Sequence, residues 1–334
     1  MKRVLITGAS GFIGSFLVEE AIKRGFEVFA GVRASSSRAY LKQPELVFFE
    51  SNLADKYAIK KTLINYKNKY GKFDYIIHNA GLTKSCNTSD FEKVNVQITK
   101  NLIEALSELN IIPEKFIYIS SLAAYGPGDE LTLQAIKDTD LPNPDSLYGK
   151  SKLKAEQFLK SFENIPHLIF RPTGVYGPRE KDFYVLFKTI NQGLETFIGS
   201  TEQYISLIYI KDLTRLIFDA LESNTVNKSY FLSDLENHTA LKFNAIIKQV
   251  LNKKTIRIVF PKQLVKLIAL INGKLSCAFG KVATLNSEKY KEISCKNWLC
   301  DSSATVSDFG FKPEYNLEKG VRETIAWYKK ENLL

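Results

Sequence analysis

A tyrosine and a lysine four residues apart, Tyr148 and Lys152, are the side chains of this 334-residue chain best suited to proton transfer. Residues at this spacing share one face of a helix. A free tyrosine has a pKa of about 10, but a nearby ammonium stabilises the phenolate and lowers that pKa. Tyr148 can then exchange a proton with a substrate oxygen while hydride moves, and the hydroxyl of Ser121 can bond the same oxygen. The spacing alone is common by chance, so its place in the fold must support it.

Three glycines, Gly8, Gly11 and Gly14, follow a short apolar run and precede a helical stretch. Their spacing is one residue longer than the usual G-x-G-x-x-G. Glycines let the backbone approach a pyrophosphate, and the N-terminus of the next helix offers free N–H groups and a positive dipole end. The segment therefore predicts a dinucleotide-binding turn.

The end of the second predicted strand bears on the choice of cofactor. A carboxylate there would hydrogen-bond the ribose 2′-OH of NAD. The stretch 31–38 (GVRASSSR) has none, and Arg33 can make charge-assisted bonds to the 2′-phosphate of NADP, helped by Arg38 or a serine. We therefore expect NADP(H) to be favoured over NAD(H). The alternative is that Arg33 stacks on the adenine.

Short apolar runs and longer helical stretches alternate along the first half of the chain. Strands are predicted at 4–6, 27–32, 46–49, 75–78, 115–120 and 168–171, and helices from the glycine turn to about 23 and at 58–66, 91–109 and 148–162. The alternation predicts an α/β fold with a doubly wound parallel (Rossmann) sheet covered by helices on both faces. Such a sheet opens its ligand crevice at the carboxyl ends of its strands, where Ser121 follows the fifth strand.

After Pro172 the alternation is less regular. Strands at 205–210 and 229–232 and helices at 212–221 and 241–251 are predicted there. We expect a dinucleotide-binding domain over 1–175, with 205–235 returning to it. A smaller, interleaved substrate-binding domain is expected over 176–204 and 236–334.

Composition excludes several functions. The net charge is +10, but the basic residues are spread over the chain without a nucleic-acid motif, which favours a solvated surface that also attracts an anionic cofactor. The four cysteines lack C-x-x-C spacing and the three histidines are scattered, so no metal site is expected. No signal peptide or run of 18 apolar residues is present, so we expect a cytoplasmic protein without a membrane span.

The segment Phe260–Leu275 contains three lysines and, among its aliphatic residues, Leu264, Val265, Leu267, Ile268, Leu270 and Ile271. A helix of this kind could lie on a membrane or on a partner protein. We favour packing on the substrate-binding domain, with peripheral membrane contact as the weaker alternative.

The motifs together resemble the extended short-chain dehydrogenases/reductases, also called the NAD-dependent epimerase/dehydratase family. They are 7–14 (TGASGFIG), 52–55 (NLAD), 78–81 (HNAG), 95–96 (NV), 120–126 (SSLAAYG), 148–152 (YGKSK) and 171–178 (RPTGVYGP), in the family's order. They cover roughly the first 180 residues, with weaker resemblance at 209–212, 298–301 and 310–313. The closest likeness is to reductases of the dihydroflavonol-reductase type and to nucleotide-sugar epimerases.

The resemblance implies roles for individual residues. The catalytic set would be Ser121, Tyr148 as acid/base and Lys152 as its partner. Asn52, beside the adenine, replaces the aspartate more usual in the family, and its amide oxygen can still accept a hydrogen bond from an exocyclic amine. Together with Arg33, the cofactor-binding residues would be Gly8, Ser10, Gly11, Phe12, Ile13, Gly14, Asn52, Leu53, Ala80, Gly81, Lys152, Pro172 and Val175. Family members often dimerise through helices equivalent to 91–109 and 148–162, so a homodimer is expected.

One departure from the family narrows the reaction. Its sugar-nucleotide dehydratases carry Thr-Asp-Glu near positions 121–123, where this chain has Ser121-Leu122-Ala123, so dehydration is disfavoured. We favour an NAD(P)-dependent oxidoreductase that transfers hydride between the cofactor and a ketone or secondary alcohol, because the missing acid after the second strand is typical of NADPH-using reductases. The alternatives are a nucleotide-sugar epimerase, in which hydride leaves and returns, and a non-catalytic NADP-binding protein.

Overall fold

The computed structural model describes all 334 residues and contains fourteen strands and twelve α-helices. The strands are β1 (Arg3–Thr7), β2 (Glu27–Val32), β3 (Val47–Glu50), β4 (Tyr75–His78), β5 (Lys115–Ile119), β6 (His167–Pro172), β7 (Gly174–Tyr176), β8 (Leu194–Ile198), β9 (Tyr204–Ile205), β10 (Leu207–Tyr209), β11 (Lys228–Leu232), β12 (His238–Thr239), β13 (Ile256–Phe260) and β14 (Asn297–Trp298). The helices are α1 (Phe12–Lys23), α2 (Lys56–Tyr70), α3 (Ser89–Phe91), α4 (Ile98–Glu108), α5 (Leu147–Lys160), α6 (Asp182–Asn191), α7 (Ile210–Glu222), α8 (Ala240–Leu251), α9 (Lys262–Ala278), α10 (Ser287–Ile293), α11 (Ser303–Phe309) and α12 (Leu317–Lys330).

A seven-stranded sheet in the order β11-β6-β5-β4-β1-β2-β3 forms the centre of the fold. The pairs from β6 through to β3 are parallel, with Val4 opposite both Val28 on β2 and Tyr75 on β4. The chain therefore winds outward from β1 in one direction and then returns to continue from β4 in the other. The predicted doubly wound α/β fold is confirmed, and its switch point lies between β1 and β4.

The central strands form because continuous apolar runs are buried on both faces of a parallel sheet. Val4, Leu5 and Ile6 of β1 are fully buried. On one face an aromatic cluster fills the space under α2, where Phe73 stacks on Tyr66 with ring centroids 3.9 Å apart.

The chain divides into two compact units. The first comprises residues 1–124, 148–171 and 214–230, and the second comprises 125–147, 172–213 and 231–334. The second unit has small sheets (β10-β7, β12-β9-β14 and β13-β8) and a core of aromatic rings from Tyr176, Phe187, Phe243 and Tyr328. Of the segment 205–235, β11 joins the seven-stranded sheet, whereas β9 and β10 pair with other strands.

The predicted helix 91–109 differs from the structure in one respect. A π-helical turn, Glu92–Gln97, separates α3 from α4. The spacing of apolar residues cannot separate a π-turn from an α-turn, because one extra residue per turn changes the stripe only slightly. Such turns are frequent at functional sites, and this one contains Asn95.

The helix predicted near 260–275 is α9, and its buried apolar side chains are small ones. Val265 and Ala269 are buried, whereas the larger Leu264, Leu267 and Ile271 are exposed. No helix of the chain has the length and apolar character needed to cross a bilayer. No cluster of three or more histidine, cysteine or acidic side chains is arranged to hold a metal ion.

Candidate active site and cofactor site

The glycine turn joins the end of β1 to the start of α1. Gly8 has a left-handed φ of +67°, and a Cβ there would lie 2.9 Å from Cα of Ala80. A Cβ at Gly14 would lie 2.1 Å from the carbonyl oxygen of Gly8, so only glycine permits this packing of helix on strand. Gly11 is exposed and its N–H donates to the Gly8 carbonyl oxygen at 3.0 Å.

No side chain caps the start of α1. The N–H groups of its first turn, which includes Phe12 and Ile13, are therefore available to an anion beside the positive end of the helix dipole. Ser10 and both of these residues are half-buried at the rim of the turn. A bare glycine at position 11 and an uncapped helix start fit the pyrophosphate of a dinucleotide, which needs close backbone approach and free N–H groups.

The two arginines that follow β2, Arg33 and Arg38, have different environments. Arg33 is exposed, its backbone N–H donates to Ser36 Oγ at 3.0 Å, and its guanidinium has no partner. Arg38 forms an ion pair with Glu50 and lies over the Phe48 ring, 4.1 Å from its centroid. Arg38 is thus already paired with Glu50 at the end of β3, whereas the guanidinium of Arg33 remains available to a ligand.

Asn52 and Leu53 follow β3. Leu53 is half-buried against the core of the first unit, and its carbonyl oxygen accepts from Asn101 Nδ2 at 2.9 Å. Asn52 is exposed, and its Oδ1 accepts from the Ala54 N–H at 3.2 Å. The side-chain oxygen of Asn52, which is predicted to accept from the adenine, thus also stabilises a local turn. The side-chain nitrogen of Asn52 has no partner.

A buried chain of hydrogen bonds orders the end of β4. Thr99 Oγ1 donates to the Asn95 carbonyl oxygen at 2.7 Å, so it must accept from His78 Nε2, 3.0 Å away. Burial, and secondarily the Lys152 ammonium, lower the pKa of His78 to about 3, so the ring is neutral. Its Nδ1 then accepts from Thr7 Oγ1 at 2.8 Å, and Thr7 Oγ1 accepts from the Ala80 N–H at 3.1 Å. The chain fixes Ala80 beside the glycine turn.

Asn95 connects this loop to α5, the helix that carries Tyr148 and Lys152. Its Oδ1 accepts from the Leu82 N–H at 2.7 Å, and its Nδ2 donates to the Leu82 carbonyl oxygen at 2.9 Å and to Ser151 Oγ at 2.8 Å. Ser151 Oγ in turn donates to the Tyr148 carbonyl oxygen at 2.7 Å. Every polar atom of the buried Asn95 amide is used, so it acts as a clamp between loop and helix.

Tyr148 and Lys152 lie one turn apart near the start of α5, as their spacing predicts. Tyr148 is half-buried and Lys152 is 4% exposed. The Lys152 ammonium donates to the Ile119 carbonyl oxygen at 2.7 Å, lies 4.9 Å from the centroid of the Tyr118 ring, and would meet a Cβ at Gly81 at 3.1 Å. Burial lowers its pKa to about 8, partly opposed by Glu156. The structure thus brings Lys152 to the ends of both β4 and β5.

The two serines after β5 have different environments. Ser121 is half-buried at the start of a 3₁₀ turn, and its Oγ accepts from the Ala123 N–H at 3.2 Å. Ser120 is buried and donates to Glu156 Oε1 at 2.5 Å. Only Ser121 is placed where a substrate oxygen could reach it, which separates the two hydroxyls that the sequence left adjacent.

A buried ion pair that the sequence did not single out supports α5. Glu156, one turn beyond Lys152, is 1% exposed and accepts from Arg171 Nη2 at 2.7 Å and Nε at 3.1 Å. Arg171 was noticed in the sequence only as part of a motif. The spacing of four from Lys152 to Glu156 indicates that a carboxylate shares the face of α5 that carries Lys152.

Pro172 and Val175 belong to the second compact unit. Pro172 ends β6 and is buried, and Val175 is half-buried on β7 opposite Ile208 of β10. Thr173, between them, donates through Oγ1 to the Leu232 carbonyl oxygen at 3.0 Å. Their contact with a nicotinamide ring stays a prediction.

The arrangement of a glycine turn, a buried lysine and a tyrosine one helical turn away agrees with a comparison against known families. The family model described as "NAD dependent epimerase/dehydratase family" matches residues 4–232. The chain belongs to the NAD-dependent epimerase/dehydratase family. The resemblance inferred from the motifs is confirmed, and the chain is a nicotinamide-dependent enzyme of the short-chain dehydrogenase/reductase type.

Individual proteins are similar to this chain over nearly its whole length. A sterol-4-alpha-carboxylate 3-dehydrogenase (decarboxylating) from Dictyostelium discoideum is 25% identical over 97% of this chain and 100% of its own. The N-acetyl-alpha-D-glucosaminyl-diphospho-ditrans,octacis-undecaprenol 4-epimerase of Escherichia coli O157:H7 is 28% identical over 97% and 94%. The UDP-glucuronic acid 4-epimerase of Bacillus cereus, solved in complex with NAD, has the same fold, with a TM-score of 0.76, 21% identity and coverage of 98% and 99%.

Proposed function

We propose that the chain is a sugar epimerase that oxidises a secondary alcohol of its substrate and reduces the resulting ketone from the other face. One observation carries the proposal. Tyr148 lies one helical turn from Lys152, whose buried ammonium lies beside Gly81, and no carboxylate stands at positions 122 or 123. This set is sufficient for reversible hydride transfer and lacks the extra acid and base for dehydration. Two of the relatives named above are 4-epimerases, which supports the same reaction here.

The chemistry follows from the three side chains. A bound nicotinamide would accept and return the hydride. Tyr148, as the phenolate, takes the proton of the substrate hydroxyl and gives it back when the ketone is reduced. The Lys152 ammonium stabilises that phenolate, and the Ser121 hydroxyl donates to the same substrate oxygen. No net oxidation occurs in this cycle, because hydride and proton both return to the substrate.

A second candidate is net oxidation or reduction of a secondary alcohol or ketone, the reaction first favoured from the sequence. The Dictyostelium relative is a dehydrogenase by name, and the same three side chains suffice for a single hydride transfer. The two candidates differ only in whether substrate leaves after one transfer or rotates and accepts the hydride again.

We also propose that the cofactor is NADP(H) in preference to NAD(H). Arg33 supports this, because its guanidinium has no other partner at the end of β2. The nearest carboxylate on the neighbouring strand, Glu50, is already paired with Arg38. Calorimetry with NADPH and NADH tests it. Replacement Arg33→Ala should weaken NADPH about 10-fold to 100-fold, as expected for loss of a charge-assisted pair, and leave NADH unchanged. Tighter binding of NADH by the unaltered protein would overturn the preference.

The reaction is tested by following nicotinamide absorbance and sugar configuration together. Nucleotide sugars or lipid-diphosphate sugars should be interconverted without net change in cofactor absorbance, whereas stoichiometric cofactor reduction or oxidation favours the second candidate. Replacement Tyr148→Phe should lower turnover at least 100-fold with cofactor binding retained. Tyr125→Phe is a matched control, because the Tyr125 hydroxyl donates to the Asp138 carbonyl oxygen. Retained turnover in Tyr148→Phe would exclude the proposed acid/base.

Three further properties of the protein are proposed: its oligomeric state, the role of its second unit and its location in the cell. We propose a homodimer formed through α4 and α5, supported by the half-buried Phe158 and Phe162 at the end of α5, and tested by light scattering of Phe158→Glu, which should be monomeric. The second compact unit is proposed to bind substrate. A cytoplasmic location is proposed and is tested by cell fractionation.

A further inference from the structure

Helix α9 presents a continuous apolar surface to solvent. Five large aliphatic residues, Leu264, Leu267, Ile268, Ile271 and Leu275, are 44–57% exposed. Their spacing of i, i+3, i+4, i+7 and i+11 places them within an arc of roughly 100° on one side of the helix. We call this set the outer face of α9. Phe279, directly after the helix, is 80% exposed and continues the apolar surface.

The outer face is not what holds α9 in the second unit. The side of the helix that packs inward carries Val265 and Ala269, and Asn272 Nδ2 donates to the Leu285 carbonyl oxygen at 3.0 Å. A helix that served only the core would bury its larger aliphatic side chains and expose its smaller ones. Here the reverse holds, and contiguous exposed apolar patches of this kind mark interaction surfaces.

The chain segment around the outer face is basic, although four of its cations pair with carboxylates from elsewhere in the chain (Lys242 with Glu236, Lys248 and Arg257 with Glu195, and Lys262 with Glu130). Residues 237–287 contain nine lysines and arginines and no aspartate or glutamate, although the chain as a whole has 36 acidic residues. Lys274 borders the outer face, Lys266 lies farther round the helix, and both are exposed without an ion-pair partner. The partner that fits this surface must therefore accept aliphatic side chains and supply negative charge close to them.

We propose that the outer face of α9 docks the protein on a bilayer surface that contains anionic lipid. Aliphatic side chains enter the boundary between headgroups and acyl chains while flanking lysines bind lipid phosphates. A second copy of this chain fits less well, because a two-fold interface would place the same basic segment against itself. The proposal goes beyond the reaction proposed above and does not depend on it.

The test measures binding of the full-length protein to sedimented vesicles of phosphatidylcholine with and without phosphatidylglycerol. We expect binding only to vesicles with phosphatidylglycerol, and release by added salt. The double variant Leu267→Gln/Ile271→Gln should lower the partition coefficient on the order of 100-fold. Lys274→Gln should lower it roughly 5-fold, at about 1 kcal/mol for one lysine near the surface.

Matched controls change the same residue types elsewhere. Leu131 and Leu141 are 92% and 91% exposed, so Leu131→Gln/Leu141→Gln should bind vesicles like the unaltered protein. Unchanged thermal midpoints and cofactor binding show that all variants are folded. Absence of binding to anionic vesicles at low salt overturns the proposal, as does equal loss in the controls. A dimer dispersed by Leu267→Gln/Ile271→Gln, without any vesicle binding, would assign the outer face to a second copy and also overturn it.

Discussion

The buried ammonium of Lys152 should destabilise the folded protein, and replacing it should stabilise the fold while abolishing activity. Burial lowers the pKa of Lys152 from 10.5 to about 8. Since each pKa unit corresponds to about 1.4 kcal/mol, keeping the charge in the folded state costs about 3 kcal/mol at neutral pH. Lys152→Met removes this cost but also removes the hydrogen bond to the Ile119 carbonyl oxygen, worth about 1 kcal/mol. Lys152→Met should therefore raise the free energy of unfolding by about 2 kcal/mol at neutral pH.

The sign of the pH dependence follows from linkage. A lysine whose pKa is lower in the folded state binds fewer protons there than in the unfolded state, so stability rises with pH between the two pKa values. The cost is fully present below about pH 8 and disappears as the pH approaches 10.5. The advantage of Lys152→Met over the unaltered protein should therefore shrink by about 2 kcal/mol between about pH 7 and about pH 9.5.

Urea unfolding followed by circular dichroism measures this difference at each pH. Both proteins should carry Tyr148→Phe, so that the neighbouring phenol does not titrate in the same range. Lys150→Met, on the exposed side of α5, is the control and should show no pH-dependent advantage. A difference between Lys152→Met and its parent that stays constant from neutral to alkaline pH would refute the argument. It would show that the Lys152 ammonium is solvated or paired in the folded state.

Three further substitutions test the supports of the site. Gly14→Ala should cost about 1–3 kcal/mol of stability and reduce cofactor affinity in calorimetry, because its Cβ would lie 2.1 Å from the Gly8 carbonyl oxygen; a fully active, equally stable variant contradicts the turn geometry. Asn95→Ala should lower turnover more than it lowers cofactor affinity, since loop and catalytic helix lose their clamp, and equal effects on both would argue against it. Glu156→Gln should cost about 3–5 kcal/mol in urea unfolding, because Arg171 keeps a buried charge without its counter-ion, and a loss below about 1 kcal/mol would contradict the buried pair.

The first unit was predictable because its signals are local. The strands at 27–32 and 75–78 appear where apolar runs of the right length stand between turn residues. Glycines between a strand and a helix commonly form a phosphate-binding turn, and right-handed crossovers restrict the order of the strands in the sheet. Each of these rules needs only a few neighbouring residues, so a single sequence is sufficient to apply them.

The supports of the site were not predictable in the same way. Asn95 was visible as part of a motif, yet its role depends on Leu82 and Ser151, which lie 13 and 56 residues away. His78 is visible in the sequence as part of the 78–81 motif, but the sequence does not show that its neutral ring orders the end of β4. Buried polar networks are specified by geometry between distant segments, and residue type alone does not reveal their partners.

Helix α9 shows a different limit of sequence reasoning. The pattern of Phe260–Leu275 identifies an amphipathic helix, but periodicity does not say which side faces the protein when both sides contain apolar residues. The structure decides this by burying Val265 and Ala269, since small side chains let α9 approach its neighbour closely. The large side chains left outside cost free energy in water unless something covers them, and the uninterrupted positive charge of 237–287 restricts what that can be. The segment packs within the second unit through its smaller apolar side, and its larger apolar side is the one proposed to meet an anionic surface.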